Sequence, residues 1–105
     1  MKKDQLYILM FYALDLIYDE TNDIDLGTFL SSANPFAFDD GSSADPHIKE
    51  MFMNTDIEDK DYGYESISAF LSSVNPKIDL YFRLISKDRW VEVAEEYLQS
   101  SQVNS

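Results

Sequence analysis

No cysteine occurs in this 105-residue chain. Disulfide scaffolding, thiol catalysis and Cys-based zinc or iron–sulfur sites are thereby excluded together. Glycine and proline are scarce, three of each, which suits a helical chain with few tight turns. No Gly-rich phosphate loop, His-Glu-x-x-His pair or dinucleotide fingerprint is present. Histidine is limited to His47, in the first turn of a helix opened by Asp45-Pro46, and a lone histidine without a cysteine partner is more often a surface residue than a catalyst. The paired serines Ser31-Ser32 and Ser72-Ser73 fall inside helical patterns and lack the Gly-x-Ser-x-Gly elbow that exposes a nucleophile. These scarcities predict a protein with no catalytic residues and no cofactor.

Long hydrophobic runs are also missing. Met1-Lys2-Lys3-Asp4 is followed by an apolar stretch from Leu6 to Leu14, the order found in a signal peptide. Asp15 and Asp19 then stand where small residues and a cleavage site belong. The stretch also falls short of the roughly 20 apolar residues that cross a bilayer. It reads as a buried core helix of a cytoplasmic protein.

The scarcity of most consequence is positive charge. Twenty acidic residues face eight basic ones, for a formal net charge of −12. Between Lys3 and Lys49 there is no lysine or arginine, whereas Asp4, Asp15, Asp19, Glu20, Asp23, Asp25, Asp39, Asp40 and Asp45 all occur there. Phosphate backbones demand Lys and Arg, so direct nucleic-acid binding is not expected. An anionic membrane surface would repel the chain for the same reason. A basic protein partner would be attracted and steered. Acidity that serves only solubility is the plain alternative.

What is present in quantity is core material. Hydrophobic residues make up 45% of the chain and aromatics 14%, too rich for a disordered acidic polymer. One domain of this size can bury roughly two-thirds of its unfolded surface without staples. Leu6, Leu9, Met10, Ala13, Leu14 and Ile17 recur at helical spacing, and Tyr7, Phe11 and Tyr18 widen that face. A helix apolar nearly all round belongs at the centre of a fold. Ile48, Met51, Phe52 and Thr55 form the inner stripe of the helix opened by Asp45-Pro46. Ser86 is expected to cap a last helix that buries Trp90, Val91, Ala94, Tyr97 and Leu98 and leaves Glu92, Glu95 and Glu96 to water.

The chain also echoes itself. Phe29-Leu30-Ser31-Ser32-Ala33-Asn34-Pro35 and Phe70-Leu71-Ser72-Ser73-Val74-Asn75-Pro76 share six identities in seven positions. The echo extends to Leu26 and Ile67, at a constant offset of 41 residues. Proline disfavours helix in the residue before it, so each short helix should stop at its Asn. The Asn can then cap a following helix that begins with Pro. A duplicated unit of helix, acidic linker and short helix accounts for the pattern, with convergence on a common stop signal as the alternative.

The fold expected is all-α: a compact single-domain bundle of five or six helices around a buried N-terminal helix. The domain spans residues 1–99, with a fraying tail at 100–105. Its acidity should concentrate on loops near 19–25, 36–45 and 56–63. Calcium loops of the EF-hand type are excluded there. Taking Gly27, Gly41 or Gly63 as the sixth position puts apolar, aromatic or lysine side chains where oxygen ligands belong. No metal site is therefore expected, although weak calcium binding to the acidic loops stays open.

Phe36 and Phe38 among Asp39, Asp40 and Asp45 either pin the loop to the core or form an aromatic anchor ringed by acids. Tyr62 and Tyr64 among Asp59, Asp61 and Glu65 repeat that chemistry. The expected partner-binding residues are Asp19, Glu20, Asp23, Phe36, Phe38, Asp39 and Asp40. The function expected is that of a non-catalytic acidic binding protein, in particular an immunity or antitoxin-type inhibitor of a basic partner. A generic regulatory adaptor and a carboxylate-based metal-binding protein or enzyme are the alternatives.

Overall fold

The computed structural model describes residues 2–33 and 46–103. Among them the chain is all-α and forms a single domain, with six α-helices and no strand. The helices are α1 (Lys3–Thr21), α2 (Ile24–Ala33), α3 (Pro46–Met53), α4 (Tyr64–Val74), α5 (Pro76–Phe82) and α6 (Lys87–Val103). A short turn, Lys60–Gly63, with left-handed backbone at Asp61, Tyr62 and Gly63, precedes α4. No helix among the described residues is long and apolar enough to cross a membrane.

α1 is the hub that its composition demands, packing on α2, α3 and α5. Leu6, Tyr7, Leu9, Met10, Phe11, Ala13 and Leu14 are all buried. Its other side is not fully covered: Leu16 is 67% exposed. The two echoed segments form matched stripes. Leu26, Phe29, Leu30 and Ala33 of α2 are buried, as are Ile67, Phe70 and Leu71 of α4, with Val74 partly so. α4 ends at Val74 and α2 is assigned to Ala33, residues equivalent under the offset of 41. Asn75 is extended and its side chain accepts the Lys77 N–H at 3.0 Å, capping α5 with Pro76 in its first turn. Asn34 lies outside the described residues, so the cap can be compared in one copy only. The units before the two short helices differ: α1 has 19 residues and α3 only 8, shorter than the helix it precedes.

Aromatic rings organise the interior in two runs. Tyr7, Phe52 and Phe70 meet edge to face at 5.3 and 5.2 Å, tying α1, α3 and α4 together. Tyr64, Phe82 and Trp90 continue at 5.1 and 5.2 Å through α4, α5 and α6. Each polar tip that is carried inward finds a backbone carbonyl. Tyr7 Oη donates to Ala33 at 2.7 Å, Tyr64 Oη to Ile85 at 2.6 Å, and Trp90 Nε1 to Tyr62 at 3.0 Å. The Ile85 and Tyr62 carbonyls sit in turns, where the regular helical ladder supplies no donor. Burial also pushes the Tyr64 hydroxyl above its ordinary pKa.

Ser86 caps α6, its Oγ accepting the Arg89 N–H at 3.1 Å. Trp90 and Ala94 of that helix are buried, while Val91, Tyr97 and Leu98 are only partly covered. α5 stops at Phe82. Leu84 and Ile85 donate to the carbonyls of Tyr81 and Phe82, three residues back, and this tightened turn leads into Ser86.

Candidate functional site

α1 and α2 form a tight helical hairpin. Asn22 closes α1 in the left-handed conformation, φ 53°, and its N–H donates to the Tyr18 carbonyl at 2.7 Å. Asp23 opens α2 by accepting the Leu26 N–H at 3.1 Å. The connection is two residues long, so the acidic loop expected near 19–25 is mostly helix. Asp19 and Glu20 belong to the last turn of α1, and Asp25 to the first turn of α2. Strong hairpin capping at Asn22 and Asp23 lets both helices run to the junction.

Asp23 is committed within the fold. Besides its cap it lies 2.9 Å from the Lys77 ammonium, which is also 3.0 Å from Asp25. The hydrogen bond from Lys77, followed by those from Tyr81 and the Leu26 amide, lowers the Asp23 carboxyl to about 2, outweighing desolvation. The same contacts raise the Lys77 ammonium above its ordinary value, and the bond to Asp23 raises the Tyr81 hydroxyl. α5 is thereby fastened to the start of α2.

The remaining ion pairs lie farther along the chain. Arg83 reaches Asp79 and Glu65, Lys87 reaches Glu65 and Asp61, and Arg89 holds Glu92. Ser68, fully buried, donates to Asp79. Among the described residues no cation reaches Asp15, Asp19 or Glu20 within ion-pair distance. Asp19 and Glu20 are exposed and Asp15 half-buried. Two carboxylates thus occupy the C-terminal turn of α1, the negative end of its dipole, with no base in that turn.

Beside this acidic end, α1 and α2 line an open cleft of about 430 Å³. α1 contributes Phe11, Asp15 and Tyr18, spaced i, i+4, i+7 along one face. α2 contributes Ile24, Gly27, Thr28 and Ser31, which share one face, together with the buried Leu30. Gly27 permits the close approach, because a Cβ there would stand 2.8 Å from the Tyr18 ring. Sequence reasoning assigned Phe11 and Tyr18 to the core and passed over Asp15. The available signal was Gly27: a glycine inside a helix costs about 1 kcal/mol relative to alanine, and close packing accounts for it here.

Of the residues expected to bind a partner, Asp19 and Glu20 fall together at the end of α1, and Asp23 is tied to Lys77. Phe36, Phe38, Asp39 and Asp40 lie outside the described residues. Tyr62 and Tyr64, the second aromatic pair, point inward and are partly and fully buried. Among the described residues no group of three or more His, Asp or Glu side chains converges to hold a metal ion. No family model, characterised protein or solved structure matches the chain. The site is therefore read from its own chemistry.

Proposed function

We propose that this protein is a non-catalytic, cytoplasmic binding protein, an immunity or antitoxin-type inhibitor that covers a basic protein partner. The observation that carries the reading is the placement of Asp19 and Glu20. Both are exposed, neither forms an ion pair with any described residue, and both sit in a helix turn whose dipole disfavours them. Folding alone would favour lysine or a neutral residue there. A cationic partner converts that unfavourable charge into attraction and rapid, steered association. The stretch from Lys3 to Lys49 supports the same face, because no lysine or arginine within it competes for the carboxylates.

Affinity capture with the intact protein at low salt, followed by identification of what is retained, tests this. The expected result is one stoichiometric basic protein whose activity is blocked in the complex and whose association rate falls with added salt. The variant carrying Asp19→Asn and Glu20→Gln should slow that association. A partner that is acidic, or whose binding ignores both ionic strength and the double substitution, would overturn the reading.

A further inference from the structure

We propose that the cleft between α1 and α2 is a receptor for an arginine side chain. The inference deepens the reading above by naming what a basic partner would insert, and it rests on that reading for the source of the arginine alone.

The cleft combines the groups that recognise a guanidinium. Phe11, Asp15 and Tyr18 share one face of α1, so a carboxylate stands between two aromatic rings along a wall about 10 Å long. A guanidinium can stack its flat face on the half-buried Tyr18 ring, beside the buried Phe11, and can present two parallel N–H donors to the carboxylate. Thr28 and Ser31 on the facing helix offer hydroxyl oxygens to its remaining donors. Ile24, 82% exposed, lines the same cleft and gives the aliphatic stem an apolar surface. The volume of about 430 Å³ leaves room for one long side chain.

Charge selects the same class of ligand. Every residue named here lies in the stretch with no lysine or arginine, and Asp15 forms no ion pair with any described residue. An anionic ligand would find a carboxylate and no counter-charge. The groove on the other side of α1, shared with α6, has a mainly aliphatic lining, and its Arg89 is already held by Glu92. Arginine is favoured over lysine because an ammonium is more strongly hydrated and has no flat face to stack.

The test is a titration of the isotope-labelled full chain with N-acetyl-arginine amide, followed by backbone NMR. N-acetyl-citrulline amide and N-acetyl-lysine amide serve as the neutral and ammonium comparisons. Arginine should shift amides along residues 11–18 and 24–31 in a saturable way. Citrulline should bind about tenfold or more weakly, the loss of roughly 1.4 kcal/mol expected for removing a charge-assisted contact. Asp15→Asn should weaken arginine binding by a similar factor, and Tyr18→Leu should weaken it while the circular dichroism spectrum stays that of a helical protein. No saturable shift, equal binding of citrulline, or shifts spread over all acidic residues and indifferent to Asp15→Asn would each overturn the proposal. If the cleft is silent while a basic partner still depends on Asp19 and Glu20, the cleft inference fails alone. If arginine binds the cleft and no salt-sensitive basic partner is captured, the inhibitor reading fails and the receptor stands.

Discussion

The ring of Tyr18 lies across the backbone of Gly27, so close that a Cβ at position 27 would meet its Cε2 at 2.8 Å. Gly27→Ala should therefore forfeit the gain of about 1 kcal/mol that alanine normally brings to a helix interior. In a Tyr18→Ala background the same substitution should recover that gain. A double-mutant cycle read from urea melts should show coupling of at least about 0.5 kcal/mol. Strict additivity would mean that the ring yields at no cost and that Gly27 does not set the width of the cleft.

Trp90 holds the turn before α4. Asp61, Tyr62 and Gly63 are three successive left-handed residues, with φ of 53°, 54° and 72°. Only the glycine adopts that conformation without strain. The Trp90 indole donates to the Tyr62 carbonyl in the middle of the run. Trp90→Phe keeps an aromatic ring but orphans the carbonyl, and should cost about 1–3 kcal/mol beyond any repacking. Gly63→Ala should also destabilise, since its Cβ would come within 2.5 Å of Ile57 and 3.2 Å of the Glu58 carbonyl. Both losses are measurable by far-ultraviolet circular dichroism in denaturant.

The two sides of α1 should respond differently to truncation. Leu14 is fully buried, and Leu14→Ala should cost about 2–5 kcal/mol. Leu16, two residues on and largely exposed, should lose no more than about 0.5 kcal/mol on the same change. Equal losses in paired melts would mean that the exposed side of α1 is covered.

Acid should act through Asp23. Its carboxyl is held at about 2 in the folded protein, whereas an unfolded aspartate takes up its proton near the ordinary value of about 3.9. A lowered folded pKa stabilises above the unfolded value, and the contribution is lost as pH falls through the folded one. The window is therefore about pH 4 down to about pH 2. Asp23→Asn can still cap α2 but loses the charge facing Lys77. Its urea midpoint should lie below that of the unsubstituted protein above pH 4, and the two should converge toward pH 2. A gap independent of pH would assign the effect to packing instead of to charge.

Local rules made much of this fold legible. Apolar periodicity located α1 and the matched stripes of α2 and α4, and Asn75-Pro76 and Ser86 announced their helix starts through capping chemistry. The buried residues Leu9, Met10, Leu14, Phe52 and Trp90 followed from the same spacing. The misjudged features depend on contacts distant in sequence. Nothing near Asp61 or Tyr62 announces left-handed backbone, because the indole that meets the turn comes from Trp90. Asp23 resembled any other loop acid until Lys77, far along the chain, was placed beside it. The cleft escaped notice because Phe11 and Tyr18 look like core residues on one helix considered alone. Only the second helix, brought close by Gly27, makes them and Asp15 the wall of a cleft.

The last prediction concerns the carboxylates at the end of α1. Asp19 and Glu20 face the negative end of the dipole with no base in the turn, an arrangement that costs about 0.3–1 kcal/mol per charge at low salt. Asp19→Asn with Glu20→Gln should therefore raise the stability of the free protein. Added salt should stabilise the unsubstituted chain more than the variant, since screening relieves a repulsion the variant lacks. Binding should respond in the opposite direction: association with a basic partner should slow, with a smaller change in dissociation, because charges at the rim act mainly on encounter. Stopped-flow association at two ionic strengths, set beside denaturant melts of the free proteins, measures both effects. A variant that is more stable and associates equally fast at low salt would show that these carboxylates serve solubility alone. A variant that is more stable yet slower to bind would show stability given up for recognition at this turn.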